Sequence, residues 1–390
     1  MTSPLSPSTR REATRISGGA AADNLVAAVE IAYCPLELPH PVKLGHAYYS
    51  EREYVVVRVS DGQGRHGFAY GYTRGLPLLP LLEKASRGVV GTDPRDRGRT
   101  VQKMTEATPS ARSTLVRATS LLEVALWDLL GKQVGLSLSQ MLGAVRNEVP
   151  VLPVAGYFRD VRGDEAVIGE LLKLEESGYD QIKIMVGSLD TPEAMGFLAQ
   201  ARESLNPRTR LAVDAHYSLP SVEASVRAMR SLADLGVWIL EDPFLPSEWR
   251  RMAALASVGA PGIAIGEDVS EPSQFLDLLE HATVLRVDPT TCGGVRAAIS
   301  GIEAAGIRGT AVIPHVFTQL SAQLGSAYTA VACVEHIPTE SQSDPIDQFF
   351  ERPLRVSNGH VLVDQMPGAG VGLDWDRLAA FRGNTTTVSE

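Results

Sequence analysis

The sequence predicts an α/β chain organised around a (β/α) barrel, with a smaller α+β unit ahead of it. Three observations carry that reading. From about residue 149, short apolar segments alternate with amphipathic helical ones, giving eight strand-plus-helix units over roughly 200 residues, the repeat of a barrel. Nearly every one of those apolar segments ends in a side chain capable of chemistry. No G-x-G-x-x-G follows the first of them and no G-x-x-x-x-G-K-[ST] occurs anywhere, so a doubly wound nucleotide-binding sheet lacks its phosphate cradle.

Taken in order, residues 1–24 ("MTSPLSPSTRREATRISGGAAAD" and Asn24) carry charges but no apolar core, so the expectation is a disordered tail rather than a signal peptide. Residues 25–145 read as the α+β unit. "NLVAAVEIAYCPL" and "REYVVVRVSDGQGRHGFAYGY" are strands around a turn at Asp61–Gly62. "ARSTLVRATSLLEVALWDLLGKQVG" has helical periodicity with Gly135 as its stop. "HPVKLGHAYYS", residues 40–50, is expected to be a polar, aromatic loop.

The barrel spans 146–345, with strands in "VPVLPVAGY", "QIKIMVG", "RLAVDAH", "VWILEDP", "GIAIGED", "TVLRVDP", "GTAVIPH" and "AVACVEH". After about residue 345 the alternation stops, and the turn-rich segment 346–390 is expected to return to the N-terminal unit.

Composition narrows the function classes. The formal net charge of −10, spread without acidic blocks, argues against nucleic acid or an anionic membrane as partner. No apolar run reaches membrane-spanning length. Three cysteines, Cys34, Cys292 and Cys333, show no metal-type spacing and suit a reducing cytoplasm.

Asp214, Glu241, Glu267, Asp288 and His315 stand where successive strands run out, at spacings of 27, 26, 21 and 27 residues. One unit apart each, they gather around one mouth of a barrel. Converging carboxylates repel unless a cation neutralises them, and an all-oxygen set favours a hard ion, most simply Mg²⁺. Acidic residues after strands also cap helices, but three at regular spacing on otherwise uncharged strands point to metal. Asp288 and His315 lie on adjacent strands, where an Asp on one imidazole nitrogen makes the other a general base. On "QIKIMVG", Lys183 and Met185 share a face, and a lone lysine there needs partners.

With "IKIMVG", "AVDAH", "ILEDP", "AIGED", "RVDPTTCGG", "VIPHVF" and "ACVEH" in this order, the chain resembles the enolase superfamily and, within it, the mandelate racemase subgroup. The resemblance implies a (β/α)7β-type TIM barrel with an α+β capping domain formed by the N-terminal region and the C-terminal segment. It also implies that Asp214, Glu241 and Glu267 bind Mg²⁺, which holds a small-molecule carboxylate substrate. His315, oriented by Asp288, would take the proton alpha to that carboxylate, and Lys183 and Glu335 would stabilise the enediolate. The subgroup often carries a second lysine base where this chain has Met185, which cannot move a proton. Subgroup members that dehydrate sugar acids have a similar Asp-x-His, so His216 becomes the acid for a departing hydroxyl.

Loop residues Lys43, His46 and Tyr48, with Tyr157 at the end of the first barrel strand, are substrate-contact candidates. Asp242 and Asp268, by alternation, should point away. The expectation is a cytoplasmic, homo-oligomeric lyase of carbohydrate acid catabolism: a Mg²⁺-dependent hydro-lyase converting an aldonate or aldarate to a 2-keto-3-deoxy acid. The rivals are a racemase or epimerase of a 2-hydroxy or amino acid and a non-catalytic scaffold. Asp288 and His315, in place of lysines on both sides, argue against a cycloisomerase or dipeptide epimerase.

Overall fold

The computed structural model describes residues 22–389 except 46, 107–111, 187, 188 and 190. All but the last three residues of the expected tail, and His46, therefore lie outside the described residues. The capping unit is an antiparallel sheet of β1 (Val26–Leu44), β2 (Ala47–Asp61), β3 (His66–Tyr72) and β14 (Thr385–Ser389), in the order β14-β1-β2-β3. The β2–β3 turn closes on Asp61, whose carboxylate accepts from the backbone N–H of Gln63 and Arg65, both at 3.0 Å.

Residues 40–45 and 47–50 are not the expected loop. They continue the β1–β2 ribbon, pairing Val42 with Tyr49 and Leu44 with Ala47 after a register shift. Half of this ribbon is solvated, so its strand signal lacks the apolar alternation that marks a strand in sequence.

Helices α1 (Leu78–Ser86), α2 (Arg97–Glu106), α3 (Arg112–Val134) and α4 (Leu138–Leu142) cover the sheet. α3 is buried from Leu121 through Gly131, wedged between the cap sheet and the barrel, and Gly135 (φ 74°) ends its C-terminus. It approaches β3 so closely that a Cβ at Gly67 would strike the Ala125 carbonyl.

Eight parallel strands follow: β4 (Glu148–Ala155), β5 (Gln181–Met185), β6 (Arg210–Asp214), β7 (Ile239–Glu241), β8 (Gly262–Ile265), β9 (Val284–Val287), β10 (Ala311–Pro314) and β11 (Val334–His336). Neighbours pair in sequence from β4 to β10, and β11 pairs with β4. At the β10–β11 seam, Val312 N–H donates to the Ala330 carbonyl at 2.8 Å and the Val312 carbonyl accepts from Ala332 N–H at 2.9 Å. The connecting helices are α5 (Arg159–Arg162), α6 (Asp164–Glu176), α7 (Pro192–Ser204), α8 (Val222–Asp234), α9 (Met252–Ala256), α10 (Gln274–Leu278), α11 (Val295–Arg308) and α12 (Thr318–Ala327).

Leu152, Ala212, Ile239, Ala264, Val284 and Ile313, on six of the eight strands, with Cys333 just ahead of β11, form an apolar layer inside the barrel. Two residues further along most strands, the same inward stripe carries Asp214, Glu241, Arg286, His315 and Glu335. The packed layer is thus the floor of the polar mouth.

The hairpin β12 (Val356–Ser357) and β13 (His360–Leu362) adds to the start of β4. The C-terminal segment then docks on the cap helices: Asp128 on α3 accepts from Ala369 N–H at 2.6 Å, and Gly368 accepts from Leu138 N–H at 2.7 Å. Among the described residues no helix is long and apolar enough to cross a membrane.

Candidate active site at the barrel mouth

Where the strands end, the barrel faces the cap across a cavity of about 140 Å³ lined by Tyr157, Lys183, Met185, Asp214, His216, Glu267, His315 and Glu335. All but His216 are at least nine-tenths buried. Seven of the expected site residues are therefore brought to one cavity, with Met185 beside them.

Lys183 answers its own cost. Ala212, its β6 neighbour, is small enough for the amine to pass and reach Glu241 at 2.7 Å, Asp214 at 3.4 Å and Glu335. Burial alone would depress the amine, but Glu241, Glu335 and Asp214 overturn that and hold it well above the usual lysine range.

A second buried cation, Arg286, was not singled out from the sequence. It is fully buried on β9, paired with Glu335, 3.3 Å from Glu241, 3.7 Å from Glu267, and donating to the Ile313 carbonyl at 3.2 Å. Its signal was the one that marked Lys183: a lone charge on an apolar strand, two residues before Asp288. Burial would raise the Glu335 carboxyl, but Arg286, Lys183 and His315 pull it down to about 2. As an anion it accepts and does not donate, so it holds both cations in place.

His315 sits at the end of β10 with Nδ1 at 2.8 Å from Asp288 Oδ2. Asp288 is fixed in turn by the Thr290 N–H and hydroxyl, each at 2.7 Å. Nε2 is left towards Glu267 Oε1 (3.6 Å) and Arg74 Nη2 (3.4 Å). Burial resists charging the ring, but Glu267 and the Asp288 hydrogen bond outweigh it and raise the imidazole above its ordinary value.

The expected metal trio was Asp214, Glu241 and Glu267. The carboxylates whose oxygens lie within 4.8 Å of one another are Glu241, Asp242 and Glu267, while Asp214 faces Lys183 and accepts from His216 N–H at 2.8 Å. Asp242 does not point away as alternation suggested: β7 ends at Glu241, and φ of 44° at Asp242 breaks the extended backbone on which alternation depends. Among the described residues no donor meets either Asp242 oxygen in hydrogen-bond geometry, and burial, with Glu267, Glu241 and Asp214 adding and the nearby Tyr217 hydroxyl opposing, drives its carboxyl well above its usual range. Glu241 is pushed up to about 8, burial outweighing Arg286 and Lys183. An orphaned buried carboxylate among all-oxygen donors is the environment a hard divalent cation would relieve.

His216 lines the same cavity but not by extending β6. It lies in a turn at φ 41°, under the ribbon tip, where a Cβ at Gly45 would stand 2.7 Å from the His216 carbonyl. Six of the nine described non-glycine residues with positive φ (Phe158, His216, Tyr217, Asp242, Val316, Phe317) directly follow barrel strands, so backbone strain is concentrated at this rim.

Two cap candidates are elsewhere. Tyr48 is 60% exposed and donates to Asp160 on α5 at 3.1 Å, and Lys43 lies 5.8 Å from the Tyr48 ring. Because the ribbon is a strand, Tyr48 and Tyr49 point to opposite faces, and Tyr49 is the one lining the cavity. The cap also supplies Arg52 and Arg74, neither anticipated from sequence. Arg74 donates to Glu267 Oε1 at 2.8 Å and approaches Asp268 at 3.8 Å.

Comparison with known proteins agrees with this architecture. Residues 28–143 match the mandelate racemase / muconate lactonizing enzyme N-terminal domain, and residues 167–377 match the enolase C-terminal domain-like family. The chain is 25% identical to a D-galactarolactone cycloisomerase of Agrobacterium fabrum, over 88% of this chain and 95% of that one. It is 24% identical to an L-talarate/galactarate dehydratase of Salmonella typhimurium, over 82% of this chain and 80% of the relative. Among solved structures, L-talarate dehydratase from Polaromonas sp. JS666, complexed with Mg and L-glucarate, superposes with a TM-score of 0.83 at 24% identity, covering 94% of this chain and 99% of the other.

Proposed function

The chain belongs to the enolase superfamily, in its mandelate racemase subgroup, and from that premise we propose that it is a Mg²⁺-dependent dehydratase of a sugar acid. The observation that carries the reading is the Thr290–Asp288–His315 relay. It locks one imidazole nitrogen and turns the other towards Glu267 and Arg74 in a cavity that Lys183 also lines.

The ion would be held by Asp214, Glu241 and Glu267, with Asp242 a further oxygen donor gathered beside the last two. Bound there, a divalent ion would neutralise the carboxylates and polarise the substrate carboxylate, making the alpha proton acidic. His315 Nε2 takes the proton from C2, and the C–H electron pair passes into the carboxylate as an enediolate. Lys183, kept charged by Glu335 and Glu241, faces the developing negative charge. The C3–O bond then breaks, His216 delivers the proton with which the hydroxyl leaves as water, and the enol becomes the 2-keto-3-deoxy acid. Met185 lines the wall beside Lys183 and offers no proton carrier, which separates this reading from a racemase.

The test is a panel of sugar acids incubated with Mg²⁺ and with EDTA, scored for 2-keto acid. Keto product that EDTA abolishes and Mg²⁺ restores is the expected result, and no metal-dependent keto product across the panel would sink the reading. A cycloisomerase is the second reading, because relatives so named align over most of the chain. It predicts an isomer of unchanged mass from a lactone or anhydro sugar acid.

A further inference from the structure

We propose that Arg52 anchors a second carboxylate at the far end of the substrate, so that the acids used are sugar diacids in preference to monoacids. This rests on the sugar-acid reading above and concerns the same cavity from its cap side.

Arg52 is on β2 and is held without an ion pair. Its Nε–H donates to the Ser343 carbonyl at 2.9 Å, and the guanidinium lies 5.4 Å from the Tyr72 ring centroid and 5.8 Å from that of Tyr157. The nearby acid that could neutralise it is engaged: Asp344 Oδ1 accepts from the hydroxyls of Tyr54 and Tyr72, the latter at 3.0 Å. Glu53, on the same strand, is taken by Tyr33 at 2.5 Å and Thr73 at 2.7 Å. Among the described residues no acceptor meets the two terminal nitrogens of Arg52.

A partly buried guanidinium with its fork unpaired lacks the acceptor its burial calls for. It opens on the cavity that holds His315, and the Tyr72 ring beside it lies 6.2 Å from the His315 ring. A planar fork on a rigid stack matches a carboxylate through two parallel hydrogen bonds. The terminal CH₂OH of a monoacid gives that charge no partner. Arg74 does not compete for this role, because Glu267 and Asp268 already occupy it.

The experiment compares six-carbon sugar diacids with monoacids of matching configuration, on the wild-type chain and on Arg52→Gln and Arg52→Lys. Each is assayed for kcat/KM and for calorimetric binding with Mg²⁺ present. A charge-assisted pair lost from a site of this kind is worth about 10- to 100-fold. The wild type should prefer the diacid by about that factor in both assays, and the preference should collapse in Arg52→Gln and recover only partly in Arg52→Lys.

Equal use of monoacids by the wild type, or a preference surviving Arg52→Gln, overturns the proposal while leaving the dehydratase reading intact. If no acid gives keto product, that reading falls, and the binding arm still decides on Arg52. Should the variants fail to fold, the wild-type preference in binding decides alone.

Discussion

The two walls of the cavity are both cationic in part, yet they hold their cations differently. On the barrel side, Lys183 lines the cavity and Arg286 is buried outside its lining; both are at most 3% exposed, and each is surrounded by carboxylates from two or three strands. On the cap wall, Arg74 is 24% exposed and Arg52 is held by stacking and one backbone carbonyl. The barrel wall is a closed electrostatic unit whose members hold one another. The cap wall is open-ended, with charge left to meet something else. Chemistry and fold should therefore fail together when a cation of the barrel wall, Lys183 or Arg286, is removed, and selectivity should fail alone when the cap wall is cut.

The largest effect is expected at His315. His315→Asn removes the open Nε2 base, and kcat should fall by about 10²- to 10⁴-fold in the keto-acid assay while the melting temperature holds. His216→Asn separates two roles for its ring: a loss of that same order supports proton delivery to the leaving hydroxyl, and a loss below about 10-fold speaks against it.

Next is Arg286→Met. It leaves Glu335 and Glu241 to share Lys183 and Glu267 to rely on Arg74 in a dry interior, and breaking a buried charge network in this way costs about 3–5 kcal/mol in urea unfolding. A loss below about 1 kcal/mol would show that the carboxylates simply take up protons and that the barrel wall is not a unit.

The joint between the walls carries its own pH dependence. Glu123 on α3 accepts from the first N–H of α11, Val295, at 2.7 Å and from the Trp127 indole at 2.8 Å, linking cap to barrel. Burial raises its carboxyl to about 7 against these hydrogen bonds and Arg97. Between the unfolded value of about 4.5 and 7 the native state therefore binds the extra proton, so the contribution of Glu123 to stability falls as pH rises through that window, by about 3 kcal/mol, and is flat above it. Unfolding at several pH values should show a slope in that window that is shallower in Glu123→Gln than in the wild type by about this amount.

Legibility in the sequence follows the same division. The barrel rim can be read because a parallel strand buried on both faces is apolar, so Lys183, Asp214, Glu241 or His315 stands out at a fixed position. Arg286 obeys the same rule, as the one charge ahead of Asp288 in "TVLRVDP". Alternation fails where the backbone stops being extended, which is why Asp242 was placed on the wrong side. Arg52 was not readable: "YYSEREYVVV" is dense with charge, and the partner that fixes the guanidinium, Ser343, is 291 residues away. The cap ribbon hid for a related reason, since a half-solvated strand with prolines at 39 and 41 looks like a loop.

The smallest effect should come from Arg74. It bridges cap and barrel through Glu267 and Asp268, and it is held in a left-handed backbone conformation at φ 52° just after β3. Its bond to Glu267 falls on a carboxylate that Arg286 also faces, and Asp268 is separately bound by Arg117 at 2.5 Å. Removing Arg74 thus leaves neither acid without a cation, whereas removing Arg286 leaves Glu335 with Lys183 alone. Arg74→Met should therefore cost below about 1 kcal/mol in the urea unfolding that finds several for Arg286→Met. A comparable loss from both would mean that the two walls form one network and that the cap is as integral to the fold as the barrel mouth.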